Sequence, residues 1–353
     1  MFPAASAVAQ TIDQFGTQNP NDVLAEPTPV AGLENVVKID AGNADGYALE
    51  ANGTVHAWGG NSGGNLGDGG TGASPQTAVQ VQFPAHVRIV AIGEAEDSGM
   101  AVDSEGNGWV WGHGPQGSLC RPSGNLLTPL KVLSGVVAVQ GGEHHSLWLT
   151  NKGTVKACGS NVHGRLGLGE GVEEVDETTE ILGLSNVVEI SAGVESSAAR
   201  TSSGEMFYWG DNAHGEAGLG SFAKAIWTPQ RVLLPEPVVQ ISEGGDYASN
   251  GSSFAIGRSG ELFAWGANNC GQVPGDERRA RTPFATGLHF KEAVTGGEDG
   301  LALDAEGNVW AWGCATGGAL GDGITEDEEV APFITDTHAV QVSATAKHSM
   351  DLR

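Results

Sequence analysis

Residues 36–59 read VVKIDAGNADGYALEANGTVHAWG, and this stretch contains the strand pattern that recurs along the chain. Val36–Ile39 and Thr54–Trp58 alternate between apolar and polar residues, which is the period of a β-strand with one buried face. Between them, Tyr47–Leu49 is a short apolar run, and Asn52-Gly53 is a strong signal for a tight hairpin turn. The stretch therefore predicts three antiparallel strands, A, B and C, and a fourth strand, D, is expected after the Gly-rich loop that follows Trp58.

The same unit recurs along the chain, most visibly as a Trp-Gly pair at the end of strand C. The pairs are Trp58-Gly59, Trp111-Gly112, Trp209-Gly210, Trp265-Gly266 and Trp312-Gly313, with Cys158-Gly159 and Phe15-Gly16 in equivalent places. Between positions 58 and 312, neighbouring copies are 47–56 residues apart, and such a period is typical of solenoids and propellers. Gly accounts for 55 of the 353 residues, which fits many tight turns between short strands.

The two ends of the chain complement one another. The last unit begins at Ala339 and stops at Arg353, so it contains only strands A and B, whereas residues 10–16 and 27–30 match strands C and D. Pairing the two ends closes the ring and removes its exposed strand edges. The sequence therefore predicts an all-β fold, a seven-bladed β-propeller of four-stranded antiparallel blades whose last blade is closed by the N- and C-terminal strands. We expect a single domain, 1–353, with blades at about 36–86, 87–135, 136–186, 187–237, 238–289 and 290–338, and a composite blade of 339–353 plus 1–35.

Motifs inside the units resemble those of the regulator of chromosome condensation (RCC1) repeat family. Residues 142–149, GEHHSLWL, look like the family's G-x-x-H-S-x-A-L signature. Residues 58–69, WGGNSGGNLGDG, resemble its W-G-x-N-x-x-G-Q-L-G-x-G stretch, which is repeated at 209–220 and 265–272. The resemblance covers essentially the whole chain and implies a propeller of such repeats.

The resemblance does not choose a function, because one fold serves many. The family includes a nucleotide exchange factor for a small GTPase, a plant ultraviolet receptor and a secreted β-lactamase inhibitor. This chain departs from each of them. It has neither the basic tail nor the wedge-like insertion of the exchange factor, and no Trp beside the His position of its repeats, as the receptor would have. In the loops from which the inhibitor presents aromatic residues, this chain has Tyr247 only.

The charge balance excludes some partners. There are 43 acidic and 17 basic residues, a net charge of −26, whereas nucleic-acid-binding proteins carry the opposite sign and an anionic membrane would repel this chain. No apolar run is long enough to span a bilayer. The acidic excess either serves solubility alone or is focused on one face that selects a basic partner.

Acidic residues concentrate in the loops between strands A and B. In a propeller these A–B loops surround one mouth of the central channel, and six of the seven carry an acid. Converging carboxylates raise one another's pKa values and concentrate cations, so this mouth is predicted to favour a basic peptide, a Lys/Arg-rich protein face or a metal ion. Solvated loop acids without a binding role are the alternative interpretation. The candidate binding residues are Asp45, Glu94, Glu96, Asp97, Glu143, His144, His145, Glu195, Asp246, Tyr247, Glu298, Asp299 and His348.

No catalytic motif is present: the sequence has no HExxH, no phosphate-binding GxxxxGK[ST] and no GxSxG in a strand–turn–helix context. We expect no cofactor and no metal. Glu143-His144-His145 offers metal ligands, with Glu195 as a neighbour, but the resemblance implies a structural hydrogen bond for His145 and His348. The four Cys residues form no CxxC pair, and their even number allows two disulfides, but buried free thiols are the expected state.

The leading hypothesis is a non-catalytic, monomeric interaction propeller that binds a basic protein or peptide through the acidic mouth, with neither nucleic acid nor membrane as a partner. One alternative is a hydrolase or lyase that uses carboxylates of the funnel, with or without a metal, which predicts strongly raised pKa values on two of these acids. Another is an exchange-factor-like regulator of a small GTPase, by resemblance. Few Lys, many Gly and a low pI slightly favour a secreted or cell-surface location.

Overall fold

Seven four-stranded antiparallel sheets form a closed ring, which confirms the predicted seven-bladed β-propeller. The computed structural model describes residues 11–353 except 20–21, 44, 96, 123, 246–250, 276–278, 315, 326–328 and 346–347. Within these residues the helical segments are three single turns of 3-10 helix, at Pro115–Gly117, Val162–Gly164 and Thr316–Gly318. In the same residues, no helix has the length and apolarity needed to cross a membrane.

The strands follow one another in the order that the repeat predicts. The first two, β1 (Ile12–Asn19) and β2 (Asp22–Pro29), belong to the composite blade 7. Blade 1 contains β3 (Val36–Ala41), β4 (Asp45–Glu50), β5 (Val55–Gly59) and β6 (Ser74–Gln80); blade 2 contains β7 (Ile89–Ala95), β8 (Ser98–Asp103), β9 (Asn107–Gly112) and β10 (Leu126–Ser134). Blade 3 contains β11 (Val136–Gly141), β12 (His145–Thr150), β13 (Val155–Ser160) and β14 (Glu174–Glu180); blade 4 contains β15 (Val187–Ala192), β16 (Ser196–Thr201), β17 (Met206–Asp211) and β18 (Ala225–Val232). Blade 5 contains β19 (Val238–Glu243), β20 (Ser252–Gly257), β21 (Glu261–Ala267) and β22 (Arg279–His289); blade 6 contains β23 (Glu292–Thr295), β24 (Asp299–Leu303), β25 (Asn308–Cys314) and β26 (Glu329–Thr337). The last two strands, β27 (Gln341–Ala344) and β28 (His348–Leu352), return to blade 7.

Blade 7 closes the ring because the N-terminal β1 pairs with the C-terminal β28. Their antiparallel register runs from Ile12 opposite Leu352 to Gly16 opposite His348. An ion pair between Arg353 and the buried carboxylate of Asp13 adds to this seam. Each of the seven sheets is therefore one blade, and the composite blade has the same four-strand order as the others.

The repeated Trp at the end of strand C holds neighbouring blades together. Each of these five indoles is fully buried. Trp111 of blade 2 donates its ring N–H to the carbonyl of Asn65 in blade 1, at 2.8 Å, and Trp209 of blade 4 donates to the carbonyl of Arg165 in blade 3, at 2.9 Å. A buried aromatic ring contributes a large apolar area, and its polar N–H needs a partner. The spacing of the Trp-Gly pairs thus reflects one blade-to-blade contact made repeatedly around the ring.

The expectation of free thiols is wrong, since the four cysteines form two disulfides between neighbouring blades. Cys120 bonds to Cys158 across blades 2 and 3, and Cys270 bonds to Cys314 across blades 5 and 6. In other units a Gly in the left-handed region lies against the Trp of the next blade, and a Cβ added at Gly67 would be 2.8 Å from Trp111. Cys120 occupies this Gly position, with φ of 54°, and Cys158 occupies the Trp position. The disulfide therefore takes the place of the Gly–Trp contact.

Candidate functional site

The central channel is a narrow polar cavity of about 370 Å³ lined by the first strand of each blade. Side chains on these strands bond to the next blade: the amide of Gln341 both donates to and accepts from the backbone of Ile39, and Gln240 does the same with Ala293. Glu292 has the place of these glutamines in its own blade, and burial raises its pKa to about 7. The glutamine side chains of the channel thus hydrogen-bond neighbouring blades to one another.

Four of the predicted binding residues lie at one equivalent position, the first residue of strand B. Asp45, His145, Asp299 and His348 are each opposite the Gly of a Trp-Gly-type pair, and each is at most 1% exposed. The Gly of each Trp-Gly-type pair has a positive φ near 100°. At Gly210, an added Cβ would be 2.5 Å from the carbonyl oxygen of Glu195. Only Gly allows the A–B loop to lie this close to strand C.

The two histidines at this position bond across blade junctions. His145 Nε2 is 2.9 Å from Ser197 Oγ of blade 4, and His348 Nδ1 is 3.2 Å from the carbonyl oxygen of Gly42 in blade 1. Burial lowers the pKa of His348 to about 4 and that of His145 well below its ordinary range. Both rings are therefore neutral parts of the junctions and do not reach the surface of the mouth.

Burial shifts the two acids at this position towards their protonated forms. Burial raises the pKa of Asp45 to about 8, assisted by the negative charge of Asp97 and opposed by hydrogen bonds from Asn65 and Tyr47. Burial also raises the pKa of Asp299 well above its usual range. These are the raised pKa values that the hydrolase alternative requires, but they belong to carboxyls that are closed to solvent.

A second set of predicted residues faces outward around the mouth: Asp97, Glu143, His144, Glu195 and Glu298. The side chain of Asp97 is 42% exposed, and the others are about a fifth exposed or half-buried. Glu143 accepts a hydrogen bond from Arg165, whose guanidinium is almost completely buried beneath it. Because the Arg165 side chain is held in place by burial, its hydrogen bond fixes the position of the Glu143 carboxylate at the rim.

A small pocket of about 80 Å³ lies at the mouth, lined by the ends of the A strands and by A–B loop residues of several blades. Glu94 lines it, as predicted for a mouth residue, and so does Glu243, which sequence reasoning missed. Both are the last polar residue of strand A in their blades, and this shared repeat position was the signal for Glu243. Burial raises the pKa of Glu243 well above its usual range, although Ser253 donates to it at 2.7 Å.

The loops between strands C and D reach the same mouth, and their acidic and histidine residues were also missed. His163 Nδ1 lies 2.5 Å from Glu195 Oε2 and 3.8 Å from Asp211 Oδ1. In the next C–D loop, His214 lies 3.3 Å from the buried Glu216, whose pKa burial raises to about 8. His163 and His214 have the same place in two copies of the motif, which is the signal that sequence reasoning could have used.

Three predicted residues, Glu96, Asp246 and Tyr247, and the neighbouring Lys347 lie outside the described residues. The described residues of the A–B loops include several acids but neither Lys nor Arg. The opposite face, formed by the B–C turns and by the connections that lead into strand A, carries exposed basic side chains at Arg88, Lys152, Arg258 and Lys291. It also carries exposed acids, including Glu105 and Glu306, so the described A–B loops differ from it in having acids without interspersed basic side chains.

Comparisons with known proteins agree with the geometry of the ring. The family model described as "Regulator of chromosome condensation (RCC1) repeat" matches residues 203–249 and 306–352. The ultraviolet-B receptor UVR8 of Arabidopsis thaliana is 30% identical over 348 residues, covering 93% of this chain and 77% of the receptor. The probable E3 ubiquitin-protein ligase HERC6 of Homo sapiens is 31% identical over 219 residues, which is 58% of this chain and only 21% of the ligase.

Solved structures show the same fold at low sequence identity. Prp20p of Saccharomyces cerevisiae, described with its binding to Gsp1p and histones, superposes with a TM-score of 0.85 at 21% identity, covering 98% of this chain and 92% of Prp20p. Human WBSCR16 superposes with a TM-score of 0.84 at 18% identity, covering 98% of this chain and 99% of that protein. At such identities the likeness concerns the fold alone.

Proposed function

The chain belongs to the RCC1-like repeat propeller family, and from this premise we propose that it is a non-catalytic regulator that binds a basic protein or peptide at its A–B mouth. Protein-interaction regulation is the function class that fits its relatives. The relatives' own activities and partners are not carried over, because they differ from one another.

The single observation that carries the proposal is the charge of the mouth. Asp97, Glu143, Glu195 and Glu298 are outward or partly exposed, whereas Arg165 beneath them is buried and already paired with Glu143. A concave surface lined by one sign of charge attracts and orients partners of the opposite sign.

The buried acids do not add to the negative charge of the mouth. Burial raises the pKa of Asp45 to about 8 and that of Asp299 well above its usual range, so burial favours the neutral form of both carboxyls. The partner would therefore contact the outward carboxylates, which lie on separate blades around the opening. It would not meet a continuous ring of charge made by all the candidate binding residues. Such spacing favours several basic side chains presented together, as on a Lys/Arg-rich protein face.

The test compares two variants with the same change in net charge. D97N/E298Q removes two carboxylates from the mouth, and E105Q/E306Q removes two exposed carboxylates from B–C turns on the opposite face. Neither variant leaves Arg165 without its partner. The probe is a fluorescent Lys-rich peptide, with core histones as a folded basic probe, and binding is followed by fluorescence anisotropy.

We expect the wild-type protein to bind the peptide and to lose affinity as NaCl rises from about 50 to about 500 mM. Because exposed charge pairs each contribute roughly 0.2–1 kcal/mol, D97N/E298Q should bind about two- to thirtyfold more weakly, and E105Q/E306Q should bind as the wild type does. Equal losses in both variants would show that net charge alone drives binding. No binding, or binding insensitive to salt, would remove the basic partner.

A further inference from the structure

Three potential metal ligands meet at the junction of blades 3 and 4. His163 comes from the C–D loop of blade 3, Glu195 from the A–B loop of blade 4, and Asp211 from the end of β17 in blade 4. One imidazole nitrogen and one oxygen from each carboxylate lie within 4.8 Å of one another. The cluster is separate from His145, which bonds to Ser197.

One carboxylate oxygen of Asp211 is buried without a hydrogen-bond partner. The residue is only 4% exposed, and this oxygen, Oδ1, faces His163 at 3.8 Å. A buried carboxylate oxygen without a partner is costly. The backbone N–H groups of Asn212 and Ala213 donate to the same carboxylate and hold it in this orientation.

The repeat provides an independent comparison, because the same three positions recur at the junction of blades 5 and 6. There the residues are Cys270, Glu298 and Cys314, in place of His163, Glu195 and Asp211. At that junction the two cysteines are joined by a disulfide. This place in the ring is therefore one where the loop of one blade is cross-linked to strand C of the next.

We propose that His163, Glu195 and Asp211 bind a zinc ion that cross-links blades 3 and 4, as the Cys270–Cys314 disulfide cross-links blades 5 and 6. One imidazole and two carboxylates are a ligand set that zinc accepts, and a water molecule commonly completes the tetrahedron. Ca²⁺ and Mg²⁺ prefer all-oxygen sites, so the imidazole selects against them. The two negative charges of the carboxylates balance the ion.

The geometry needs little adjustment to accept the ion. Ligand atoms at about 2.1 Å from zinc in a tetrahedron are roughly 3.4 Å apart. The 2.5 Å separation of His163 and Glu195 must therefore widen, and the 3.8 Å separation of His163 and Asp211 must narrow, each by less than about 1 Å. Glu195 and Asp211 also line a cavity of about 10 Å³, so both carboxylates have free space beside them for such small shifts.

The experiment titrates ZnCl₂ into the full chain, freed of metal by chelation and carrying no histidine tag, and measures stoichiometry and affinity by calorimetry. The test variants are H163Q and E195Q. The matched control is H113Q, which removes a histidine at the same mouth whose nearest carboxylate, Asp97, is 3.9 Å away. The d–d absorption of bound Co²⁺ provides a second readout that reports a nitrogen- and oxygen-ligated tetrahedral site.

We expect one zinc ion per chain in the wild type and in H113Q, and affinity reduced by at least about tenfold in H163Q and E195Q. Excess zinc should raise the thermal midpoint of the wild type, because an ion that binds only the folded state stabilises it, while Ca²⁺ and Mg²⁺ should not. Equal zinc binding by the wild type and both test variants, or no binding by the wild type at about 1 mM zinc, would overturn the proposal. If H163Q does not fold, the near-isosteric E195Q at the partly exposed position decides the matter.

Discussion

Replacing Asp45 by Asn tests whether the buried carboxyls of the mouth are protonated in the folded protein. Asp45 is 1% exposed, and its pKa is about 8 in place of an ordinary value of 3.8, because burial disfavours the charged form. The pKa of Asp45 is thus higher in the folded protein than in the unfolded chain. Its favourable contribution to the free energy of unfolding is therefore fully present below pH 3.8 and is lost as pH rises towards 8. Asn has nearly the same shape as the protonated acid and cannot ionise.

The magnitude follows from the two pKa values. At about 1.36 kcal/mol per pH unit, the interval between 3.8 and about 8 corresponds to at most about 6 kcal/mol, which the wild type loses across that range and D45N does not. Between pH 5 and pH 7.5, the unfolding free energy of D45N relative to the wild type should therefore rise by about 1.4 kcal/mol per pH unit. Above pH 8 the variant should be the more stable protein.

Urea unfolding followed by Trp fluorescence, at pH values from about 3 to about 9, gives the free energy of unfolding of each protein. Asp103 supplies a control of opposite sign: burial acts to raise its pKa, but hydrogen bonds from Asn107, Trp109 and Glu105 outweigh burial and lower it. D103N should therefore destabilise the protein at neutral pH, and the loss should shrink as pH falls through the acid range. A difference in unfolding free energy between D45N and wild type that stays constant from about pH 5 to about pH 9 would contradict this prediction, since it would mean that Asp45 is ionised in the folded state.

Two further predictions concern the junctions between blades. Reducing the Cys120–Cys158 bond, which closes a segment of 38 residues, should lower the unfolding free energy by about 4 kcal/mol. In a C270S/C314S background, where Cys120–Cys158 is the remaining disulfide, the oxidised protein should unfold at a higher urea concentration than the reduced protein, and equal midpoints would contradict this account. Gly210→Ala should cost more than about 2 kcal/mol, because its Cβ would lie 2.5 Å from the carbonyl oxygen of Glu195. Gly169→Ala, at a similar positive φ with nothing within 4 Å, should cost only about 1 kcal/mol, and equal midpoints for the two variants would show that no clash exists.

Residue type and loop position predicted which acids lie at the mouth, but not which of them are exposed. The loops could be assigned to one mouth because every unit has the same strand order, and Glu94, Glu143 and Glu195 do lie there. The sequence did not separate outward acids from buried ones, because one residue along a loop changes whether a side chain faces solvent or the next blade. Asp299 follows Glu298 directly, yet Asp299 is 1% exposed and Glu298 is half-buried at the rim.

The number of blades, the order of strands and the closure of the ring could be predicted from the sequence, because the same pattern recurs in every repeat. Local patterns suffice where hydrophobic alternation, a Gly turn and a buried Trp recur in register. Tertiary structure alone decided which residues meet across a junction. The partners Cys120 and Cys158, or His163 and Asp211, are about one repeat apart along the chain, and only the curvature of the ring brings them together. Burial of the mouth acids likewise depends on the neighbouring blade, so their protonation states follow from packing that no local pattern contains.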